Sequence, residues 1–135
     1  MTKNIVFDSY ALIAHFKKEK GHEVVSEMLT EISVGERTGY LTLINLGEIY
    51  YITHRANGEK NALEAMRMIK SMPIEIVGVD EEITMRAAKI KATHKLSFAD
   101  AFAAALTIAK KATLITGDKE FKGLEGGAYF KVKFI

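Results

Sequence analysis

The feature that most restricts this chain is a repeated change of hydrophobic period. Short apolar runs of the kind that form buried strands are each followed at once by a helix-start signal and an apolar stripe at helical spacing. Asn4–Phe7 is the first such run, and Asp8 or Ser9 can cap a helix carrying Leu12, Ile13 and Phe16 on one face. Gly21 ends that helix, and a second runs from about His22 to Val34 before Gly35 stops it. Tyr40–Ile44 reads as the second strand, with Asn45 opening and capping the next helix, and Gly58 separating it from another at Lys60–Ser71. Pro73 marks a break before a third strand at Ile74–Val79. Asp80 caps a helix to about His94, and Ser97 caps an alanine-rich one through Lys110. Thr113–Thr116 is the fourth strand, Gly117–Asp118 turns into a short helix ending near Leu124, Gly126–Gly127 is a turn, and Tyr129–Phe134 alternates like a final edge strand.

Strands that alternate with helices imply an α/β domain. The expected architecture has three layers, α/β/α, with a mainly parallel sheet of about five strands. With 135 residues and 48% hydrophobic content, residues 1–135 make one domain with its own core. Cysteine is absent, which excludes a disulfide framework and thiolate chemistry. The N-terminal MTKNIVFDSY lacks the apolar length of a signal peptide, and no run reaches the roughly 20 residues of a membrane span. The expectation is a soluble cytoplasmic protein without membrane attachment. The formal charge of +2, with lysines grouped at Lys17, Lys18 and Lys20 and again at Lys119, Lys122, Lys131 and Lys133, is explained by solvated surfaces and does not by itself argue for nucleic acid.

In a sheet of this kind the functional crevice lies outside the carboxyl ends of the strands. Asp8 directly follows the first strand, Glu48 lies in the first turn of the helix after the second, and Asp118 follows the fourth. Taken singly, each is explained by capping, because helix N-termini attract negative charge. Asn45-Leu46-Gly47-Glu48 and Ser97-Phe98-Ala99-Asp100 both resemble capping boxes. Capping explains Asp100 less well. The helix behind it, Ala101-Phe102-Ala103-Ala104-Ala105-Leu106, is apolar on all sides and so should be buried. A carboxylate entering the core there needs a compensating partner, and Lys95 is the one nearby cation in sequence. A divalent cation shared among several acids would supply it, since carboxylates crowd together only at the cost of raised pKa values. Oxygen donors favour Mg²⁺ or Mn²⁺. Zinc is disfavoured because Cys is absent and His15, His22, His54 and His94 lack ligand spacing.

With those residues set out, the chain resembles the PIN domain family. Asp8-Ser9 after an apolar strand, Asn45-Leu46-Gly47-Glu48, Leu96-Ser97-Phe98-Ala99-Asp100-Ala101 and Thr113-Leu114-Ile115-Thr116-Gly117-Asp118-Lys119-Glu120-Phe121 look like its motifs, in its order and over essentially the whole chain. The resemblance implies a nuclease with Mg²⁺ or Mn²⁺ held by Asp8, Glu48, Asp100 and Asp118. Thr116 and Ser9 would support the site, and Glu120 would stand where some relatives carry a further acid. The single-domain form is similar to VapC-type toxins. That similarity implies an endoribonuclease that hydrolyses RNA phosphodiester bonds, dimerises, and is restrained by an antitoxin in a type II toxin–antitoxin pair.

Other readings fare less well. A receiver domain needs an acid pair after the first strand and a phosphate-accepting Asp after the third, whereas Asp8 stands alone and Asp80 suits a helix cap. A haloacid-dehalogenase-like phosphatase needs a second Asp where Tyr10 stands. No glycine-rich phosphate loop follows any strand. The alternative that keeps the fold is a non-catalytic PIN-like module for RNA binding or assembly.

Overall fold

A computed structural model describes residues 2–124 and 130–135. Elements run β1 (Asn4–Phe7), α1 (Ser9–Lys17), α2 (His22–Ser33), β2 (Thr38–Thr42), α3 (Leu43–Asn57), α4 (Glu59–Ser71), β3 (Glu75–Val77), α5 (Glu81–Thr93), α6 (Phe98–Ala109), β4 (Thr113–Thr116), a 3-10 helix (Lys119–Gly123) and β5 (Lys131–Phe134). The five strands form one sheet in the order β3-β2-β1-β4-β5, and every pairing is parallel. The expected three-layer α/β architecture is the one observed. The turn expected at Gly126–Gly127, and Tyr129 at the start of the expected last strand, lie outside the described residues.

β1 is central, and its side chains serve both layers because successive residues point to opposite faces. Ile5 and Phe7 pack with Leu12 of α1, Val25 and Met28 of α2, Ile49 of α3 and Ile69 of α4. Val6 faces the other way, toward Ala87 of α5 and the run Ala101–Leu106 of α6. That run is buried throughout, which is why α6 can be apolar all round.

Three strands have other bounds than those read in the sequence, β5 by starting at Lys131 and β2 and β3 at both ends. β2 begins at Thr38 and stops at Thr42, because the Thr42 hydroxyl accepts the Asn45 N–H at 2.9 Å and caps α3. Leu43 and Ile44, read as strand for their apolar character, form the exposed first turn of that helix. The expectation that Asn45 caps α3 is therefore corrected: Thr42 performs that task and frees the Asn45 side chain for another. β3 is limited to three residues at the sheet edge. Among the described residues no helix is long and apolar enough to cross a membrane.

The strand order has a consequence for position. The chain leaves β1 in one direction to build β2 and β3, and later returns to the other side of β1 to add β4 and β5. The topological switch lies between β1 and β4, where crevices open at the carboxyl ends of parallel strands.

Candidate active site

Register sets the floor of the crevice. Phe7 pairs with Ile115, and Val6 pairs with both Leu114 and Tyr40. Continuing the same register brings Asp8 beside Thr116 on one side and beside Thr42 on the other. The Asp8 N–H closes this row by donating to the Ile115 carbonyl at 3.3 Å.

Asp8 is 1% exposed, yet it is a carboxylic acid. One of its oxygens accepts the Ala11 N–H at 2.9 Å, which makes it the N-cap of α1. The other accepts a short hydrogen bond from the Thr116 hydroxyl. The same hydroxyl accepts the Asp118 N–H at 2.9 Å, so Thr116 ties Asp8 to Asp118, 110 residues later in the chain. One oxygen of Asp118 accepts the Glu120 N–H at 2.9 Å and caps the 3-10 helix. The capping interpretation is thus correct for Asp8 and Asp118, but it uses only part of each carboxylate's acceptor capacity.

Asp100 comes from the opposite layer. Its N–H donates to the Ser97 hydroxyl at 3.1 Å in the first turn of α6, and it is 9% exposed. Carboxylate oxygens of Asp100, Asp118 and Glu120 lie within 4.8 Å of one another. Glu48, half-buried one turn into α3, faces the same cleft and accepts a 3.5 Å bond from the Tyr51 hydroxyl. All four acids singled out in the sequence, together with Ser9 and Glu120, line one cleft of about 710 Å³. Thr116 is fully buried beneath its floor.

The electrostatics of this grouping are unfavourable by themselves. The Asp8 carboxyl is raised from 3.8 to about 7, first by burial and then by the charges of Asp100 and Asp118, while its bonds to Thr116 and Ala11 oppose the rise. Asp100 is likewise raised from 3.8 to about 7, by burial first and next by Asp118, with Glu48 adding to it. No arginine lines the cleft, and Lys20 is the single cation there among the described residues. Oxygen donors converging with one lysine at the cleft to set against them are the donor set that a hard divalent cation fits. Four ion pairs are formed among the described residues, and none involves these acids.

Asn45 has a structural role that the sequence did not disclose. It is fully buried, its Oδ1 accepts the Thr42 hydroxyl at 2.6 Å, and its Nδ2 donates to the Ser9 hydroxyl and the Ala99 carbonyl, each at 3.3 Å. Ser9 in turn donates to the Asn45 carbonyl at 3.2 Å. One amide therefore ties α1, α3 and α6, the helices that carry Asp8's neighbour, Glu48 and Asp100. Ser9 supports the site through this link rather than through Asp8. The only sequence signal was an amide adjoining a helix start, which equally suits a cap.

The comparison with known families decides the classification. The PIN domain model matches residues 5–127. The chain belongs to the PIN domain family. No curated protein is similar enough in sequence to match. Solved structures share the PIN fold at low identity. VapBC2 from Rickettsia felis, bound to a promoter DNA fragment, is 16% identical with a TM-score of 0.76, covering 97% of this chain and 98% of that one. VapC20 from Mycobacterium tuberculosis, a sarcin-ricin loop cleaving toxin, is 17% identical with a TM-score of 0.72, covering 95% and 98%. FitAcB from Neisseria gonorrhoeae is 21% identical with a TM-score of 0.68, covering 97% and 96%. The acidic cleft is therefore a feature of a PIN-fold chain matched over nearly its whole length.

Proposed function

We propose that this chain is a metal-dependent endoribonuclease, the toxin of a type II toxin–antitoxin pair, with Asp8, Glu48, Asp100 and Asp118 holding Mg²⁺ or Mn²⁺. The observation that carries the reading is that these acids, from two layers of the fold, line one cleft with a single lysine against them, where burial and mutual charge raise Asp8 and Asp100. Membership of the PIN family and the fold shared with VapC20, a sarcin-ricin loop cleaving toxin, support the choice of substrate. A toxin-antitoxin complex from Klebsiella pneumoniae and a member of the VapBC family of toxin-antitoxin systems, both of the same fold, support an antitoxin partner.

The cation, when bound, lowers the pKa of water and offsets negative charge on the phosphoryl oxygens. The chain's own groups do the rest. Thr116 aims the Asp8 carboxylate by donating to one oxygen, and Ala11 fixes the other, leaving the outward lone pairs free to ligate. Asp118 is held by the same hydroxyl through its backbone. Asn45 and Ser9 tie together α1, α3 and α6, and the latter two carry Glu48 and Asp100. Glu120 extends the donor set at the rim. Homodimerisation belongs to the same reading, as does residence in the cytoplasm with the RNA substrate, in a single domain spanning residues 1–135.

The test is cleavage of single-stranded RNA by purified protein. Activity should require Mg²⁺ or Mn²⁺, stop on chelation, and fall at least 100-fold in Asp8→Asn and Asp100→Asn while both variants stay folded. RNA binding without metal-stimulated cleavage would instead favour a non-catalytic PIN-like module.

A further inference from the structure

The cleft presents a difficulty for an RNA substrate. Six carboxylates (Asp8, Glu19, Glu48, Asp100, Asp118 and Glu120) line it against one lysine. A bound divalent cation offsets only part of that charge, so an uncharged contact beside it would strengthen the hold on a polyanion.

The α1 side of the cleft offers it. Tyr10 and Ile13 are three residues apart, on one face of α1, and both line the cleft together with Ile52 of α3. Tyr10 is 47% exposed. The edge of its ring from Cδ1 through Cε1 to Cζ rests on Gly117, so closely that a Cβ at position 117 would overlap it. Glycine at 117 thus leaves room for the ring, which lines the same cleft as Asp8 and Asp118. Among the described residues the Tyr10 hydroxyl makes no hydrogen bond within the chain, and the ring has no aromatic neighbour.

Lys20 enters from the connection between α1 and α2. That connection is held in place: the Glu19 N–H donates to the Ala14 carbonyl at 3.0 Å, and Gly21 adopts a φ of 92° with the Ile135 side chain packed against its Cα. A lysine carried on a fixed turn at the mouth of an acidic cleft is placed to meet a charge of opposite sign.

We propose that Tyr10 and Lys20 form a nucleotide subsite on the α1 wall of the cleft, with a nucleobase stacked on Tyr10 and the adjoining phosphate held by Lys20. The inference rests on the ribonuclease reading for its substrate class, but it concerns residues outside the metal-binding set. Stacking tolerates any base, so the subsite favours single-stranded RNA whose bases are free to leave a helix.

The chain contains no tryptophan, so Tyr10→Trp introduces a unique fluorophore at the subsite. In an Asp100→Asn background, which prevents cleavage, a single-stranded oligoribonucleotide should quench this tryptophan, and an abasic oligomer of equal length should not. In the otherwise unaltered enzyme, Tyr10→Ala should raise KM roughly 5- to 150-fold with kcat changed less than threefold, and Tyr10→Phe should restore KM. Lys20→Gln should reduce the slope of log K against log salt by about 0.7, the value for one contact to a single strand. Absence of cleavage by the unaltered enzyme would count against the ribonuclease reading alone, since the fluorescence arm reads binding separately. Cleavage with unchanged KM in Tyr10→Ala, together with no quenching by RNA, would overturn the subsite and leave this face to a protein partner.

Discussion

Replacing Asp8 by Asn should stabilise the metal-free protein at pH 8 while destroying its site. Burial holds the Asp8 carboxyl at about 7 in the folded chain against 3.8 for the free group. Between those values the folded state keeps a proton that the unfolded state has released, so stability falls as pH rises through that window and levels off above it. The full difference corresponds to about 4 kcal/mol, of which about 2–3 kcal/mol is lost between pH 5 and pH 8. Asparagine removes the charge at every pH but disturbs the bond that Asp8 accepts from Thr116, at a cost of about 1 kcal/mol. The net expectation is a gain of about 2–3 kcal/mol at pH 8 and close to none at pH 5. For a domain of this size the gain at pH 8 is a rise of roughly 6–12 °C in Tm. Urea or thermal unfolding after treatment with chelator, at both pH values, measures it. Adding Mn²⁺ at about 100 times its Kd should then stabilise the unaltered protein by about 2.7 kcal/mol and leave the variant unmoved. If the variant is no more stable than its parent at pH 8 without metal, or if metal stabilises both equally, the reasoning from buried charge is wrong.

Other expectations follow from particular contacts. Asn45→Ala should destabilise the fold by about 2–4 kcal/mol, because it strands the buried Thr42 hydroxyl and breaks the tie to Ser9 and Ala99; chemical denaturation reads this directly. Gly117→Ala should cost about 1–3 kcal/mol by driving against Tyr10. Combined with Tyr10→Ala, most of that loss should be recovered, and a double-mutant cycle showing simple additivity would refute the contact. Thr116→Val should weaken Mn²⁺ binding, followed by titration calorimetry, because it removes the hydroxyl that aims Asp8 and receives the Asp118 N–H.

Much of this architecture was legible before any coordinates, and the reasons are local. The change from short apolar runs to helical stripes identified the parallel α/β layering, and Gly21 and Pro73 marked breaks that the chain observes. Asp8, Glu48 and Asp118 follow strand ends, so a parallel sheet places them on one edge whatever the details of packing. The errors fall where one apolar run serves two elements. Leu43 and Ile44 are apolar and β-compatible, but the Thr42 hydroxyl one residue earlier decides the boundary in favour of helix. The Asn45 network was not legible because its partners, Ser9 and Ala99, are 36 and 54 residues away, and only the folded arrangement of α1 and α6 brings them within reach. The role of Tyr10 escaped notice for the same reason: its significance comes from Gly117, just past the end of β4, which adjoins β1 only in space.

For this chain to cleave RNA as proposed, side chains from β1's end, α3, α6 and β4's end must surround a hard divalent cation. Anomalous diffraction from a crystal soaked in Mn²⁺ addresses that most directly. A manganese peak bounded by carboxylate oxygens of Asp8, Asp100 and Asp118, with Glu48 reaching it directly or through water, is the predicted result. Full soaking with no peak in that cleft, or with manganese bound only at unrelated surface acids, would contradict the account.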